Sequence, residues 1–220
     1  MFLLLLLFLM CIITFIFSII YIYIYITNMN LNETEYTIID IAVIGDKGVG
    51  KSTFINDYMK QYQTSKQEKN GSISVEKEIN NSKMKIIMHE YSLTDSIVIS
   101  FLQECQAIFL LFNMASRESF SNLFNNWFIW LRDECRYEGI IYVMGNYFGS
   151  DPLLFTSAEE LTEAINISQI NANFYELGNK SLEDKLTLID GLVQEAEISE
   201  INKRRYLINN KGGSGECNII

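Results

Sequence analysis

Histidine is almost missing from this chain. His89 is the only one in 220 residues, so neither a multi-histidine zinc cage nor a Ser-His-Asp triad is to be expected. Cysteine is sparse and scattered. Cys11, Cys105, Cys135 and Cys217 form no C-x-x-C pair and no disulfide framework, so a reducing cytosol is the default setting. Basic residues are outnumbered, 17 Lys plus Arg against 27 Asp plus Glu, giving a net charge of −10. That sign opposes phosphate-backbone binding, and no basic stripe with interleaved aromatics is present, so no nucleic-acid partner is expected. Charge of either sign is absent before Glu33.

That uncharged start is a hydrophobic segment, residues 1–27, interrupted over 1–26 only by Thr14 and Ser18. About 20 apolar residues cross a bilayer as a helix, and Tyr21, Tyr23 and Tyr25 lie where an interfacial aromatic belt would sit. The segment makes a poor cleaved signal: it has no basic n-region, a long apolar run and no small-x-small site. A transmembrane anchor competes with translation from Met29, because the run of five leucines followed by Ile-Tyr repeats is low in complexity. Neither near flank carries Lys or Arg, so orientation is not readable. Residues 28–35 read as a linker.

The richest motif follows. Gly45-Asp46-Lys47-Gly48-Val49-Gly50-Lys51-Ser52 fits G-x-x-x-x-G-K-[ST]. It comes after an apolar strand-like run, Ile38–Ile44, and opens a helix-like run that starts at Thr53. Glycines let successive amides wrap a phosphate, and the helix N-terminus adds unpaired donors and a positive dipole end. Lys51 is placed to neutralise β/γ-phosphates and Ser52 to ligate Mg²⁺.

Beyond the loop, Gln61–Ser74 is polar and reads as a connection. Ile73–Ile79 and Lys83–Tyr91 read as a hairpin around Asn80-Asn81-Ser82. Ala107–Phe112 and Ile140–Met144 are continuous apolar runs, expected of strands covered on both faces. Between them Phe120, Leu123, Phe124, Trp127 and Leu131 recur at helical spacing and should pack a sheet. Ser157 with Glu160 predicts a capping box for a helix over 157–165. Asn173–Glu176 is a short strand, and Leu182, Leu186, Ile189, Val193 and Ala196 mark one face of a last helix. Alternating strands and helices predict an α/β domain over 36–200, a mostly parallel sheet with helices on both faces. Nucleotide should bind at the carboxyl ends of the strands.

The chain resembles the Ras superfamily of small GTPases, the Rab branch most closely. Besides the phosphate loop, Ser116-Arg117-Glu118-Ser119-Phe120 is similar to the Rab-type N-R-E-S-F segment. Phe174-Tyr175-Glu176-Leu177-Gly178-Asn179-Lys180 resembles F-x-E-T-S-A-K and keeps Glu176 and Lys180. The resemblance implies GTP/GDP and Mg²⁺ as ligands, GTP hydrolysis, effector and exchange-factor partners, and Gly45–Thr53, Asn146, Asp151, Asn179 and Lys180 around the nucleotide. It places Glu90 with Ser52 at the metal. Departures are plain. His89-Glu90-Tyr91-Ser92-Leu93-Thr94-Asp95 stands where the family has W-D-T-A-G-Q-E, without its Gly and Gln. Asn146-Tyr147-Phe148-Gly149 replaces N-K-x-D, with Asp151 two residues late. Thr64, Ser72 and Ser74 all remain open for the switch-one Thr. No catalytic residue is assignable.

Residues 201–220 read as a flexible tail ending Cys217-Asn218-Ile219-Ile220, a C-a-a-X pattern that predicts lipidation of Cys217. Lys203, Arg204, Arg205 and Lys211 upstream supply a second membrane signal. The expectation is a membrane-attached, Rab-like nucleotide switch in vesicle traffic, on the cytoplasmic face of an intracellular membrane. A hydrolysis-deficient interaction module and a phosphate-loop protein without guanine preference are the alternatives.

Overall fold

A computed structural model describes residues 36–68, 71–91, 99–147, 156–178 and 180–211, with side chains to residue 202. The apolar segment 1–27, the linker 28–35, Asp151, Asn179 and Cys217 lie outside the described residues. Among the described residues no helix is long and apolar enough to cross a membrane.

The elements run β1 Thr37–Gly45, α1 Lys51–Met59, β2 Lys66–Gln67, β3 Ile73–Ile79, β4 Ser82–Glu90, α2 Ile99–Glu104, β5 Ala107–Asn113, α3 Arg117–Asn122, β6 Ile140–Asn146, α4 Ala158–Ile167, β7 Ala172–Glu176 and α5 Leu182–Lys211. They build a seven-stranded sheet in the order β2-β3-β4-β1-β5-β6-β7. β1 pairs in parallel with both β4 and β5, and β5-β6-β7 continue in parallel. Only β2-β3 and β3-β4 are antiparallel. This is the expected α/β architecture, and its parallel strands all deliver their carboxyl ends to one edge.

Alternation along each strand divides the core between two faces. Ile39, Ile41 and Val43 of β1, with Phe109 and Leu111 of β5, pack against Phe54, Ile55 and Tyr58 of α1 and Ile189, Val193 and Ala196 of α5. The intervening Ala42, Ile44, Ile108 and Leu110 pack the other face with Leu123, Trp127, Leu131, Leu161 and Ile165. Each fully buried aliphatic side chain stabilises the fold by roughly 1.5–3 kcal/mol relative to exposure. Burial on both faces explains why β5 and β6 read as unbroken apolar runs.

The helix α5 runs on to Lys211, into the stretch 201–220 expected to be a flexible tail, and three more local features differ from the sequence expectation. Gln61–Ser74 is not all loop: β2 adds two residues of antiparallel pairing, Lys66 opposite Ser74. So short an edge strand has no periodicity to detect. The hairpin turn is two residues, Asn80 (φ 47°) and Asn81 (φ 69°), because Ser82 already pairs with Ile79. Both positive φ values suit a type I′ turn, and Asn tolerates them. Finally, α3 continues as π-helical turns over Leu123–Phe128 and Trp130–Glu134, one mark being the Cys135 amide donating to the Trp130 carbonyl at 2.9 Å. The wider turn keeps Leu123, Trp127 and Leu131, four residues apart, on one buried face. The capping box is present in full: Ser157 Oγ accepts from the Glu160 amide at 3.2 Å and Glu160 Oε2 from the Ser157 amide at 3.1 Å.

Candidate functional site

Everything at the site hangs on the turn between β1 and α1. Gly45 ends β1 at φ 142°, where an added Cβ would lie 2.2 Å from the Leu111 carbonyl oxygen of β5. Only glycine lets the loop leave the sheet there. Gly48 (φ 84°) and Gly50 (φ 97°) continue the left-handed path, and Gly50 caps α1. Successive amides and the α1 N-terminus therefore converge on one concavity, which favours an anion. No acidic side chain occupies the first turn of α1 to compete.

Lys51 is 4 % exposed, and its ammonium donates to the carbonyls of Gly45 at 3.0 Å and Asp46 at 2.8 Å. The cation is thus pinned at the loop, where a phosphate would meet it. Ser52, next in sequence, donates its hydroxyl to Glu90 Oε1 at 2.8 Å. Glu90 ends β4 directly beside Val43 of β1, so the parallel register carries the carboxylate to the phosphate loop. A hydroxyl and a carboxylate are hard oxygen donors, and Mg²⁺ takes few protein ligands plus phosphates, so the pair fits that ion. Bound there, Mg²⁺ would neutralise charge on the phosphates. The two residues expected at the metal are brought together.

Two further ties hold the loop. Asn146, at the end of β6, donates its amide to the Val49 carbonyl at 3.1 Å. Its described contact is to the loop itself. The Asp46 carboxylate accepts from Trp127 Nε1 on one oxygen and Asn122 Nδ2 on the other, each at 2.9 Å. Sequence reasoning placed Asp46 in the loop and Trp127 in the core but missed their pairing and Asn122 altogether. One signal was available: a buried indole N–H needs an acceptor. Lys47 and Thr53 are exposed at the loop and the first turn. Lys180 follows β7, its amide bonded to the Leu177 carbonyl at 3.1 Å, and its side chain is exposed.

Tyr147 stands where the family carries lysine. It is 7 % exposed, its hydroxyl lies 3.3 Å from Glu176 Oε1, and its ring covers Gly178. A Cβ at Gly178 would meet that ring at 2.1 Å, so the small residue after β7 and the large one after β6 are a matched pair. The lone histidine is elsewhere. His89 is nearly buried, its Nε2 2.9 Å from Asp40 Oδ1 and its ring 4.5 Å from Phe101. It ties β4 to β1 and takes no part in the phosphate loop.

A glycine-lined anion cradle, a lysine at its mouth and a hydroxyl–carboxylate pair, all at the carboxyl edge of a parallel sheet, define a phosphate-loop nucleotide-binding protein. The Ras family model matches residues 40–184, most of the chain, and the chain belongs to that family of small GTP-binding proteins. No curated protein matches it significantly.

Proposed function

We propose that the protein is a membrane-attached, Rab-like nucleotide switch in vesicle traffic, acting on the cytoplasmic face of an intracellular membrane and hydrolysing GTP weakly. The observation that carries the switch is the Ser52–Glu90 hydrogen bond beside the pinned Lys51. It joins the loop that grips phosphates to the strand end from which residues 91 onward depart. A ligand that engages Ser52 and Glu90 together couples the loop to that strand end, the kind of contact by which γ-phosphate and Mg²⁺ order switch loops. Weak hydrolysis follows from the stretch after Glu90, which offers no Gln to orient water and no Gly amide for the γ-phosphate. The same observation supports the second reading, an interaction module that binds nucleotide without useful turnover.

Rab character rests on Ser116–Phe120. Ser116 Oγ caps α3 by accepting from the Ser119 amide at 3.2 Å, and Ser119 Oγ accepts from the Asn113 amide at 3.0 Å. Membrane attachment rests on Cys217 and the N-terminal apolar segment, and effector and exchange-factor partners on family membership. Single-turnover hydrolysis should run below that of a family member with intact W-D-T-A-G-Q-E; an equal rate refutes the weak-hydrolysis reading. Cys217→Ser should release a chain begun at Met29 from membranes, whereas a chain inserted through residues 1–27 should resist carbonate extraction. A wild-type protein that fractionates as soluble overturns both anchors.

A further inference from the structure

The two hydrogen bonds that hold the Asp46 carboxylate come from one helix, from Asn122 and from Trp127, five positions on. At about 100° per residue, side chains five apart on an α-helix point about 140° away from each other. The π-helical turn over Leu123–Phe128 closes i→i+5 instead, which swings both donors to the same side. The widened turn is therefore what lets α3 grip the phosphate loop.

That grip bears on the lysine of the loop. The Asp46 carboxylate faces α3, while the Asp46 carbonyl accepts from the Lys51 ammonium at 2.8 Å. A shift of Asp46 moves a point on which Lys51 rests.

Each donor is itself braced from the outer face of α3. Asn122 turns its Nδ2 to the carboxylate, so its Oδ1 faces outward, where it accepts from Asn126 Nδ2 at 2.8 Å. The bond from Asn126 holds the amide in the one orientation that puts a donor on Asp46. The indole of Trp127 meets that of Trp130 edge-on, with centroids 6.2 Å apart and planes at 86°. Asn126 is exposed and Trp130 half-buried. Hydrogen bonds in series that end on a charge reinforce one another. A neighbouring pair makes the contrast. Asn125 Nδ2 donates to Ser121 Oγ at 2.9 Å, the same i→i−4 bond, but both of its residues are exposed on the solvent side.

We propose that Asn126 and Trp130 are positioning residues for nucleotide binding, acting through Asn122, Trp127 and Asp46 on the seating of Lys51. The inference rests on the phosphate-loop reading of Gly45–Ser52 and adds a control on that loop from the outer face of α3. With the relay intact, the loop is ordered before the nucleotide arrives. With the relay cut, binding must order it, and affinity falls.

The test is equilibrium titration of the full-length chain with Mg-GDP, beside its melting temperature. Asn126→Ala should weaken GDP about three- to tenfold, the effect of one modest hydrogen bond. It should not lower the melting temperature by more than about 2 °C, because the side chain is exposed. Asn125→Ala, the matched control, should bind GDP as the wild type does. Asn126→Asp, which has no donor, should fail as Asn126→Ala does, whereas Asn125→Asp, with the same added charge, should not. Trp130→Ala should weaken GDP too. Both losses should vanish in an Asp46→Ala background, where the relay has no endpoint; a merely structural loss would persist there. Wild-type affinity in Asn126→Ala overturns the inference and leaves the phosphate-loop reading standing. An Asn126→Ala loss that persists in full beside Asp46→Ala does the same. A wild-type chain that does not bind GDP sinks the phosphate-loop reading and the inference together.

Discussion

Removing the Asp46 carboxylate should loosen the phosphate loop without touching any phosphate-binding group. In Asp46→Ala, two hydrogen bonds of 2.9 Å, one to each carboxylate oxygen, are lost. Their costs differ. Asn122 is half-buried, so water can replace its partner. Trp127 is 2 % exposed, so its indole N–H is left buried and unsatisfied. A bond to a charged group contributes about 1.5–3 kcal/mol and a stranded buried donor costs about 1–3 kcal/mol. These overlap, and the expected loss is about 3 kcal/mol. For a chain of this size that lowers the melting temperature by roughly 6–12 °C. Trp127→Phe removes the same donor from the other side and adds a packing defect in the core. If the pair is coupled, the double variant should be less destabilised than the sum of the singles by about 1.5 kcal/mol, measured by urea unfolding. GDP affinity should fall in Asp46→Ala as well, because binding must then order the loop. Additivity within about 0.5 kcal/mol would refute the latch.

Lys51→Ala should abolish nucleotide binding, since the variant loses both the charge at the cradle and the two carbonyl ties that pin the loop; fluorescence titration giving wild-type GDP affinity would remove the assignment. Gly178→Ala should destabilise the fold by about 2 kcal/mol through overpacking against the Tyr147 ring, and the penalty should vanish in a Tyr147→Ala background. Burial pushes the Cys105 thiol up to about 12, with the nearby Asp40 and Glu104 adding to it, and burial with Glu134 pushes Cys135 up to about 11. Raised values favour the neutral thiol, so neither residue should alkylate with iodoacetamide in the native protein at pH 8, and both should in denaturant. Rapid native labelling at either position would contradict the packing.

The phosphate loop was legible because its constraints are local. Eight consecutive residues carry the glycines, the lysine and the hydroxyl, and a strand before and helix after complete the context. The apolar runs of β5 and β6, the Asn-Asn turn and the Ser157–Glu160 capping box were legible for the same reason: each depends on neighbours within a few positions. The α5 stripe was readable over Ile189, Val193 and Ala196, all buried. Leu182, at its start, proved 45 % exposed, and it lines a cleft between α1 and α5.

The meeting of distant residues was not legible from composition or spacing. Glu90 was placed with Ser52 by family resemblance alone, and it is the parallel register of β4 on β1 that brings them within 2.8 Å. Asp46 finds Trp127 81 positions later, and Tyr147 finds Gly178 only because β6 and β7 run side by side. The cleft has walls from α1 and α5, which no sequence window contains together. By itself the sequence determined every strand but the short β2, the turn chemistry and the phosphate cradle, since backbone sterics and side-chain period act between near neighbours. Only the tertiary structure decided how the loop is latched and which side chains meet beside it, since those depend on strand order and register, which bring together residues the chain keeps far apart.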